Sequence, residues 1–539
     1  MKNVPMKNRR EFITAAAALT LSTKLYAVNH DLLQLKRQMP AGSPTAGVAL
    51  AVSTTRTVTI PRNFVGLSYE SQQLADPHFF SPKNAQLIAQ FKALSPQGVL
   101  RIGGNTSDFS WWQPTPETAR PSRSSSVFFA GEPAPGFSYP ITPVAIDNLR
   151  KFLDDANWTC LYGINFGNNT PELAADEAAY VAGKLGPRLE YFQLGNEVDQ
   201  FSRHIRDPKT WSPDAYFAEW LPMARAILAR VPNAQFGAPD IAGNLDWLTA
   251  FAANIAKTDN PPKIAAITHH HYVGGPPNSP DMTIPRILAG PAADPAVDKA
   301  IAVGTAAAAQ LHTALRMTEG NTCYSGGKPG VSDVFASSLW AADYLLYLAS
   351  AGYAGVNLHG GDALPVADSL GGSLPGEALM KNSDESHPRP LYTPIASING
   401  IYTAEPVFYG MLFAQQFAGA TMLDVAFNPT FTPVNEPAGS TARVNATAYA
   451  AIRPDGKIII AVINKDLTND IVVHITGAYP SSILHLTASA PDATGVTFAN
   501  ATVTLNGQWK PRPSAAFIYL GHNAPVHVPR ASAALFVCH

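Results

Sequence analysis

Cysteine is scarce in this chain: Cys160, Cys323 and Cys538 are the only three among 539 residues. Thiols so few and so scattered supply neither a disulfide framework nor a zinc site, and they read as buried thiols, or as one pair and a spare. An excess of one charge is missing too. Lys and Arg number 38 against 40 Asp and Glu, a net charge of −2, which excludes a strongly basic nucleic-acid partner. No apolar run reaches the roughly 18 residues needed to span a bilayer, so the body of the chain reads as soluble, with no membrane partner. Nor is there a dinucleotide fingerprint, a phosphate loop or a repeat of solenoid period, so no cofactor is implied. What remains is 46% apolar and 14% charged, with 46 prolines. That composition excludes a disordered or coiled-coil protein and indicates a compact chain with many structured loops. A length far above about 300 residues implies more than one domain.

Residues 1–27 read as an address. Lys2, Lys7, Arg9 and Arg10 precede Phe12-Ile13 and a mildly apolar, alanine-rich run that ends near Leu25-Tyr26-Ala27. The Arg9-Arg10-x-Phe-Ile core resembles a bacterial twin-arginine signal, with cleavage expected after Ala27 and export to the periplasm or beyond. Removing it takes away Lys2, Lys7, Arg9, Arg10, Lys24 and Glu11, so the mature chain carries −6. A mildly acidic protein is poorly suited to gripping long sulfated polysaccharides.

A linker is expected over 28–46 and an alternating strand pair over 47–60. Beyond these, short β-rich runs alternate with helical patterns, as in parallel βα units. The candidate strands are Phe64–Tyr69, Val99–Gly103, Thr159–Phe166, Leu189–Leu194, Gln235–Ala238, Ile264–His269, Leu315–Thr318 and Gly355–His359. Helix starts are expected where a hydroxyl precedes proline, at Ser81-Pro82, Thr142-Pro143, Thr170-Pro171 and Ser212-Pro213. Eight strand–helix units predict an α/β fold, a (β/α)8 TIM barrel over 61–415. From about 416 to 522 the pattern becomes alternating strands without helices: Arg443–Ile452, Lys457–Asn464, Ile471–Thr476, Ser482–Thr487, Thr502–Leu505 and Ala515–Tyr519. This predicts an accessory β-sandwich that the 47–60 segment completes, followed by a tail at 523–539.

In such a barrel the chemistry sits at the C-terminal ends of the strands. The fourth strand ends Leu194-Gly195-Asn196-Glu197 and the seventh runs Met317-Thr318-Glu319-Gly320-Asn321. A single rim glutamate is commonplace as a salt-bridge partner. Two at these positions, one preceded by Asn, are what glycoside hydrolysis requires: one protonated carboxyl and one ionised.

Several longer stretches strengthen the pattern: FVGLSYES (64–71), LRIGGNTSDFSWW (100–112), YFQLGNEVDQF (191–201), HHHY (269–272), MTEGNTCYSGG (317–327) and GVNLHGG (355–361). Together, in this order and spacing, they resemble glycoside hydrolase family 79, the β-glucuronidases and heparanases, within the clan of retaining (β/α)8 glycosidases. The resemblance implies that Glu197 is the general acid/base and Glu319 the nucleophile. Asn196 is then placed to bond the sugar 2-hydroxyl. Arg101 and Tyr272 are candidates for tuning Glu319 by charge and by hydrogen bond, although Arg101 could instead staple the barrel. The histidines at 269–271 invite a metal, but strand alternation sends the middle one to the opposite face and no nearby Cys or carboxylate completes a set, so none is expected.

A glucuronidase must bind a C5 carboxylate, with a cation or with neutral donors. The resemblance assigns this to Tyr324 and the backbone at Gly326; Lys328 could add charge, although a solvated loop lysine is the default. Glu70 and His359 are candidates for ring hydroxyls; His359 stands where many clan members carry Trp. Phe109, Trp111 and Trp112 could stack on a sugar or belong to the core. The function expected is a retaining exo-β-glucuronidase acting on terminal glucuronic acid, or its 4-O-methyl ether, in glycans or glycoconjugates. The alternatives are a heparanase-like endo-enzyme, which would want clustered basic residues along a cleft, and a non-catalytic carbohydrate-binding protein, which would need no matched carboxyl pair.

Overall fold

The computed structural model describes residues 45–121, 128–129, 132–133, 139–203, 205–370, 389–431, 442–515 and 525–538. The leader at 1–27 and all but the end of the 28–46 linker lie outside them.

Eight parallel strands close into a barrel in chain order: Val65–Glu70, Val99–Gly103, Thr159–Ile164, Leu189–Leu194, Phe236–Ile241, Ile264–Gly274, Ala314–Cys323 and Gly355–Gly360. Each coincides with an expected run, because each is a short apolar or aromatic stretch bounded by turn residues. The sixth and seventh strands run further than expected. They stay paired as far as Gly274 and Cys323, so Tyr272 and Glu319 lie within strands rather than beyond them.

Three of the four expected helix starts form as read. Helices Pro143–Ala156, Pro171–Leu185 and Pro213–Arg230 place proline in the first turn, and the hydroxyls of Thr170 and Ser212 accept from Leu173 N and Ala215 N. The fourth differs. The helix over Ala85–Leu94 is capped by Asn84, whose side chain accepts from Leu87 N, not by Ser81.

Alternation along the strands sends every second side chain to the barrel axis. Branched apolar residues usually fill that space. Here inward glycines make room for long polar side chains. A Cβ at Gly66 would lie 2.5 Å from Asn357 Nδ2, one at Gly237 2.3 Å from the Tyr191 ring, and one at Gly355 2.5 Å from the Arg316 guanidinium.

The accessory domain is one continuous mixed sheet rather than two separately bonded layers. Its order is Thr497–Phe498, Pro480–Thr487, Ser532–Cys538, Ile458–Asn464, Ala446–Ile452, Thr421–Asn428, Thr45–Thr59, Asp470–Thr476 and Val526–Val528. It bends over itself: Asn464 Nδ2 donates to the Val528 carbonyl at 3.2 Å, joining strands far apart in that order. Both faces are therefore covered. Ile460 and Val462 pack inside the fold of the sheet with Val48, Leu50 and Phe536, while Ile459, Ala461 and Ile463 join the core of the barrel.

The helices Phe335–Ser350 and Pro406–Gln415, buried almost all round, lie between barrel and sheet and touch both. At that seam Asp343 accepts from Thr447 Oγ1 and Tyr449 Oη, each at 2.7 Å, and pairs with the buried Lys465.

Three expectations are corrected here. The 47–60 segment is not a strand pair but part of one 15-residue strand. Thr502–Leu505 forms no strand, only an isolated antiparallel bridge of Val503 with Trp509 leading into a turn, with Thr504 N donating to the Gln508 carbonyl at 3.0 Å. The supposed tail carries two strands, one of them well inside the sheet. SAALFVC shows no alternation because both of its faces are buried. The candidate strand Ala515–Tyr519 is described only at its first residue. Cys160, Cys323 and Cys538 are all unpaired and buried. No helix among the described residues is long and apolar enough to cross a membrane.

Candidate active site

The fourth and seventh strands bring Glu197 and Glu319 to the same mouth of the barrel. Glu197 follows Gly195 and Asn196 and takes a left-handed backbone, φ 49°. A side chain rarely adopts that conformation unless its surroundings fix it. Its carboxyl is 22% exposed against 8% for Glu319. One side-chain oxygen from each, together with a His270 ring nitrogen, all lie within 4.8 Å of one another.

Glu319 is held from several sides. Arg101 Nη1 donates to Oε2 at 2.5 Å and Tyr272 Oη to Oε1 at 2.9 Å, while His359 Nδ1 stands 3.6 Å from Oε2. Burial alone would raise its pKa. The charges of His359, His270 and Arg101 and the Tyr272 hydrogen bond outweigh burial and lower it. Glu197 moves the other way. Burial raises its pKa, the Glu319 and Asp199 charges add to the rise, and His270 only partly opposes it.

Arg101 is 1% exposed and organises the floor of the site. Beyond Glu319 its guanidinium reaches Asp240 Oδ2 at 2.8 Å, Asn196 Oδ1 at 2.7 Å, Gln193 Oε1 at 3.2 Å and Ser68 Oγ at 3.1 Å. Arg101 thus touches Glu319 and also ties side chains of several strands together. Asn196 is oriented from two directions, since its Nδ2 donates to Asn105 Oδ1 at 2.8 Å. Glu70 accepts from the Thr106 backbone N at 3.0 Å and from its hydroxyl at 2.7 Å, and lies 3.4 Å from His359 Nε2. Gly104 makes this approach possible. At φ +73° it is in glycine territory, and a Cβ there would sit 2.2 Å from Glu70 Oε2.

Three neighbours of the carboxyl pair escaped the sequence reading. His270, weighed there only as a metal ligand, points into the site. Its Nδ1 is 3.0 Å from Glu197 Oε1, and its Nε2 makes an ion-pair contact with Asp240 Oδ2 at 3.2 Å without the alignment of a hydrogen bond. Burial disfavours its charge, yet Asp240 and Glu319 raise its pKa to about 10. Asp240, in the fifth strand one residue before its end and with φ 61°, also accepts from Thr318 Oγ1 at 2.5 Å. Asp108 is pushed up to about 7 by burial although it accepts from the backbone of Phe166, Gly167 and Asn196. Only the last of these had a visible cue, its place in the LRIGGNTSDFSWW stretch; the others depend on contacts between distant strands.

The histidine triplet separates as alternation requires. His269 bonds Tyr353 Oη at 2.9 Å, and His271 stacks on Tyr344 and lies 3.4 Å from Asp294. The expectation that no carboxylate stands near is corrected, because the fold brings Glu197 and Glu319 to His270.

On the substrate side, Tyr324 is 42% exposed and meets the edge of Tyr272 at a ring distance of 6.3 Å. Gly326, with φ 87°, accepts from Leu391 N at 2.7 Å, which ties its loop to the segment carrying Tyr392. Lys328 is already engaged, donating to the Ser279 carbonyl at 2.8 Å. Trp111 and Trp112 are buried, and Trp112 packs on Tyr180, so both are core rather than sugar platforms.

No family profile matches the chain. It is 26% identical over 344 residues to a β-glucuronidase of Aspergillus niger, a match covering 59% of this chain and 62% of that protein. It is likewise 26% identical over 359 residues to a β-glucuronidase of Neurospora crassa, covering 60% and 62%. The chain thus matches about three fifths of the length of these curated relatives. Among solved structures, a 4-O-α-L-rhamnosyl-β-D-glucuronidase of Fusarium oxysporum superposes with a TM-score of 0.65 at 18% identity, over 92% of this chain and all of that one. The likeness drawn from the motifs is borne out by these matches, and the TIM barrel with an accessory sheet by the structure itself.

Proposed function

We propose, for a chain whose curated relatives are β-glucuronidases and whose fold is that of a glucuronidase barrel, that it is a retaining, exo-acting β-glucuronidase. The observation that carries this reading is the carboxyl pair: oxygens within 4.8 Å across the barrel mouth, one pKa raised and the other lowered. Retaining glycosidases need about 5–5.5 Å between the two groups, whereas inverting ones need about 6.5–9.5 Å to admit a water.

In the first step Glu319 attacks the anomeric carbon and Glu197 gives its proton to the glycosidic oxygen, so the aglycone leaves as an alcohol. In the second, Glu197 takes a proton from water. The hydroxide so formed attacks the same carbon, the bond to Glu319 breaks, and glucuronic acid departs with its configuration retained. Asn196, fixed by Arg101 and Asn105, addresses the 2-hydroxyl. Glu70 and His359 address ring hydroxyls. Tyr324 and the loop at Gly326 receive the carboxylate through neutral donors, in keeping with the engagement of Lys328 elsewhere. The 4-O-methyl ether of glucuronic acid is part of the proposed range. We also infer that residues 1–27 direct export by the twin-arginine route.

The test compares p-nitrophenyl β-D-glucuronide with the β-glucoside and β-xyloside, using the wild type and Glu319→Gln. Turnover of the glucuronide alone, lost in the variant and giving the β-anomer first by NMR, is the expected result. Turnover of neutral sugars alone would overturn the carboxylate assignment, and the α-anomer as first product would overturn retention.

A further inference from the structure

Below the carboxyl pair, the barrel axis holds a second arginine that no carboxylate among the described residues neutralises. Arg316, on the seventh strand, is buried; its Nε donates to Asn357 Oδ1 at 2.9 Å and its Nη2 has no partner. Among the described residues no carboxylate pairs with it, whereas Arg101 is matched by Glu319 and Asp240.

Three more buried polar atoms in the same stretch of barrel are unpartnered: Tyr191 Oη, Gln193 Nε2 and Thr268 Oγ1. The topology gathers them. Thr268 is the register partner of Arg316. Tyr191 and Gln193 are two residues apart on the inward face of the fourth strand, and Gln193 is the register partner of Gly237. A Cβ on Gly237 would meet the Tyr191 ring at 2.3 Å and the Thr268 methyl at 3.1 Å, so those two side chains meet across it. Burial raises the Tyr191 phenol pKa, and the Arg316 charge is the foremost influence pulling it back. The Gln193 amide is oriented by its oxygen, which accepts from Arg101 at 3.2 Å and leaves its N–H groups as the unused side.

All four atoms can donate a hydrogen bond, and two of them can do nothing else. Water would satisfy the hydroxyls but would leave a buried cation uncompensated. A fixed positive charge ringed by neutral donors is instead the chemistry that recognises an anion. We propose that the barrel core binds one monovalent anion of chloride size between Arg316, Thr268, Tyr191 and Gln193. The site is distinct from the carboxyl pair and stands whether or not the sugar assignment does.

Crystals of the wild-type protein grown with bromide in place of chloride test it directly. The expected result is an anomalous peak in bonding contact with Arg316 Nη2 and Thr268 Oγ1; its absence there overturns the proposal. In solution, chloride replaces gluconate at constant ionic strength while thermal unfolding is followed. The wild-type Tm should rise and saturate, by on the order of a few degrees, and Arg316→Met should not respond. Equal responses would overturn the site. Should Arg316→Met fail to fold, Tyr191→Phe combined with Thr268→Val removes two donors and should raise the half-saturating chloride concentration by about tenfold. An unchanged value would count against the proposal.

Discussion

Replacing Tyr272 with Phe removes one hydroxyl and little else, which makes it a sharp probe of how Glu319, the proposed nucleophile, is kept ionised. The hydroxyl donates to Glu319 Oε1 at 2.9 Å, and its own pKa is raised well above that of a free phenol, so it remains a donor throughout the working range. A hydrogen bond to a charged acceptor is worth about 1.5–3 kcal/mol, and about 1.4 kcal/mol corresponds to one pKa unit. His270 and Arg101 remain as charges beside Glu319, so the lower end applies and the Glu319 pKa should rise by about one unit. The sign follows from the depressed value. An ionised nucleophile survives acidification until the pH falls through its pKa, so a higher pKa costs activity earlier on the acid side. The acid limb of kcat/KM for p-nitrophenyl β-D-glucuronide should therefore move towards neutrality by about one unit, with the plateau lowered roughly tenfold by loss of positioning. An unmoved acid limb with a plateau within about twofold of wild type would refute the account of the nucleophile.

Other outcomes follow from the same geometry. Glu197→Ala should lose about 10²–10⁴-fold in turnover of substrates with poor leaving groups, and azide should restore turnover of the nitrophenyl glucuronide with formation of a β-glucuronyl azide; no azide adduct would remove Glu197 from its role. Lys465→Met leaves Asp343 charged and buried at the seam, and should destabilise the protein by about 3–5 kcal/mol in calorimetry, largely recovered when Asp343→Leu is added. A loss below about 1 kcal/mol would mean the pair is screened by water. Gly104→Ala forces a Cβ against the Glu70 carboxylate at a left-handed φ and should cost about 1–3 kcal/mol in stability with a raised KM; a wild-type KM would show that Glu70 does not bind sugar.

How much of this was legible in the sequence varied with the range of the contacts involved. The eight barrel strands stood out because short β-rich runs between capped helices are local patterns. Glu197 and Glu319 stood out because they end such runs. His270 did not, because alternation sets the middle ring apart from its neighbours without revealing that two carboxylates from other strands stand beside it. Asp240 was invisible for a similar reason: its partners Arg101, Thr318 and His270 come from three different strands. The last strand, Ser532–Cys538, was missed because burial on both faces erases the period-two signal on which strand reading depends.

The long first strand, Thr45–Thr59, pairs with Thr421–Asn428 on one side and with Asp470–Thr476 on the other. During synthesis it must wait, with both edges unpaired, until several hundred later residues have emerged. Contacts this distant in sequence fold late, and open strand edges invite aggregation in the interval. The accessory sheet is therefore a post-synthetic closure that staples the two ends of the chain across a barrel able to begin folding first. Loss of either Thr45–Thr59 or Ser532–Cys538 would remove an interior strand of the same sheet.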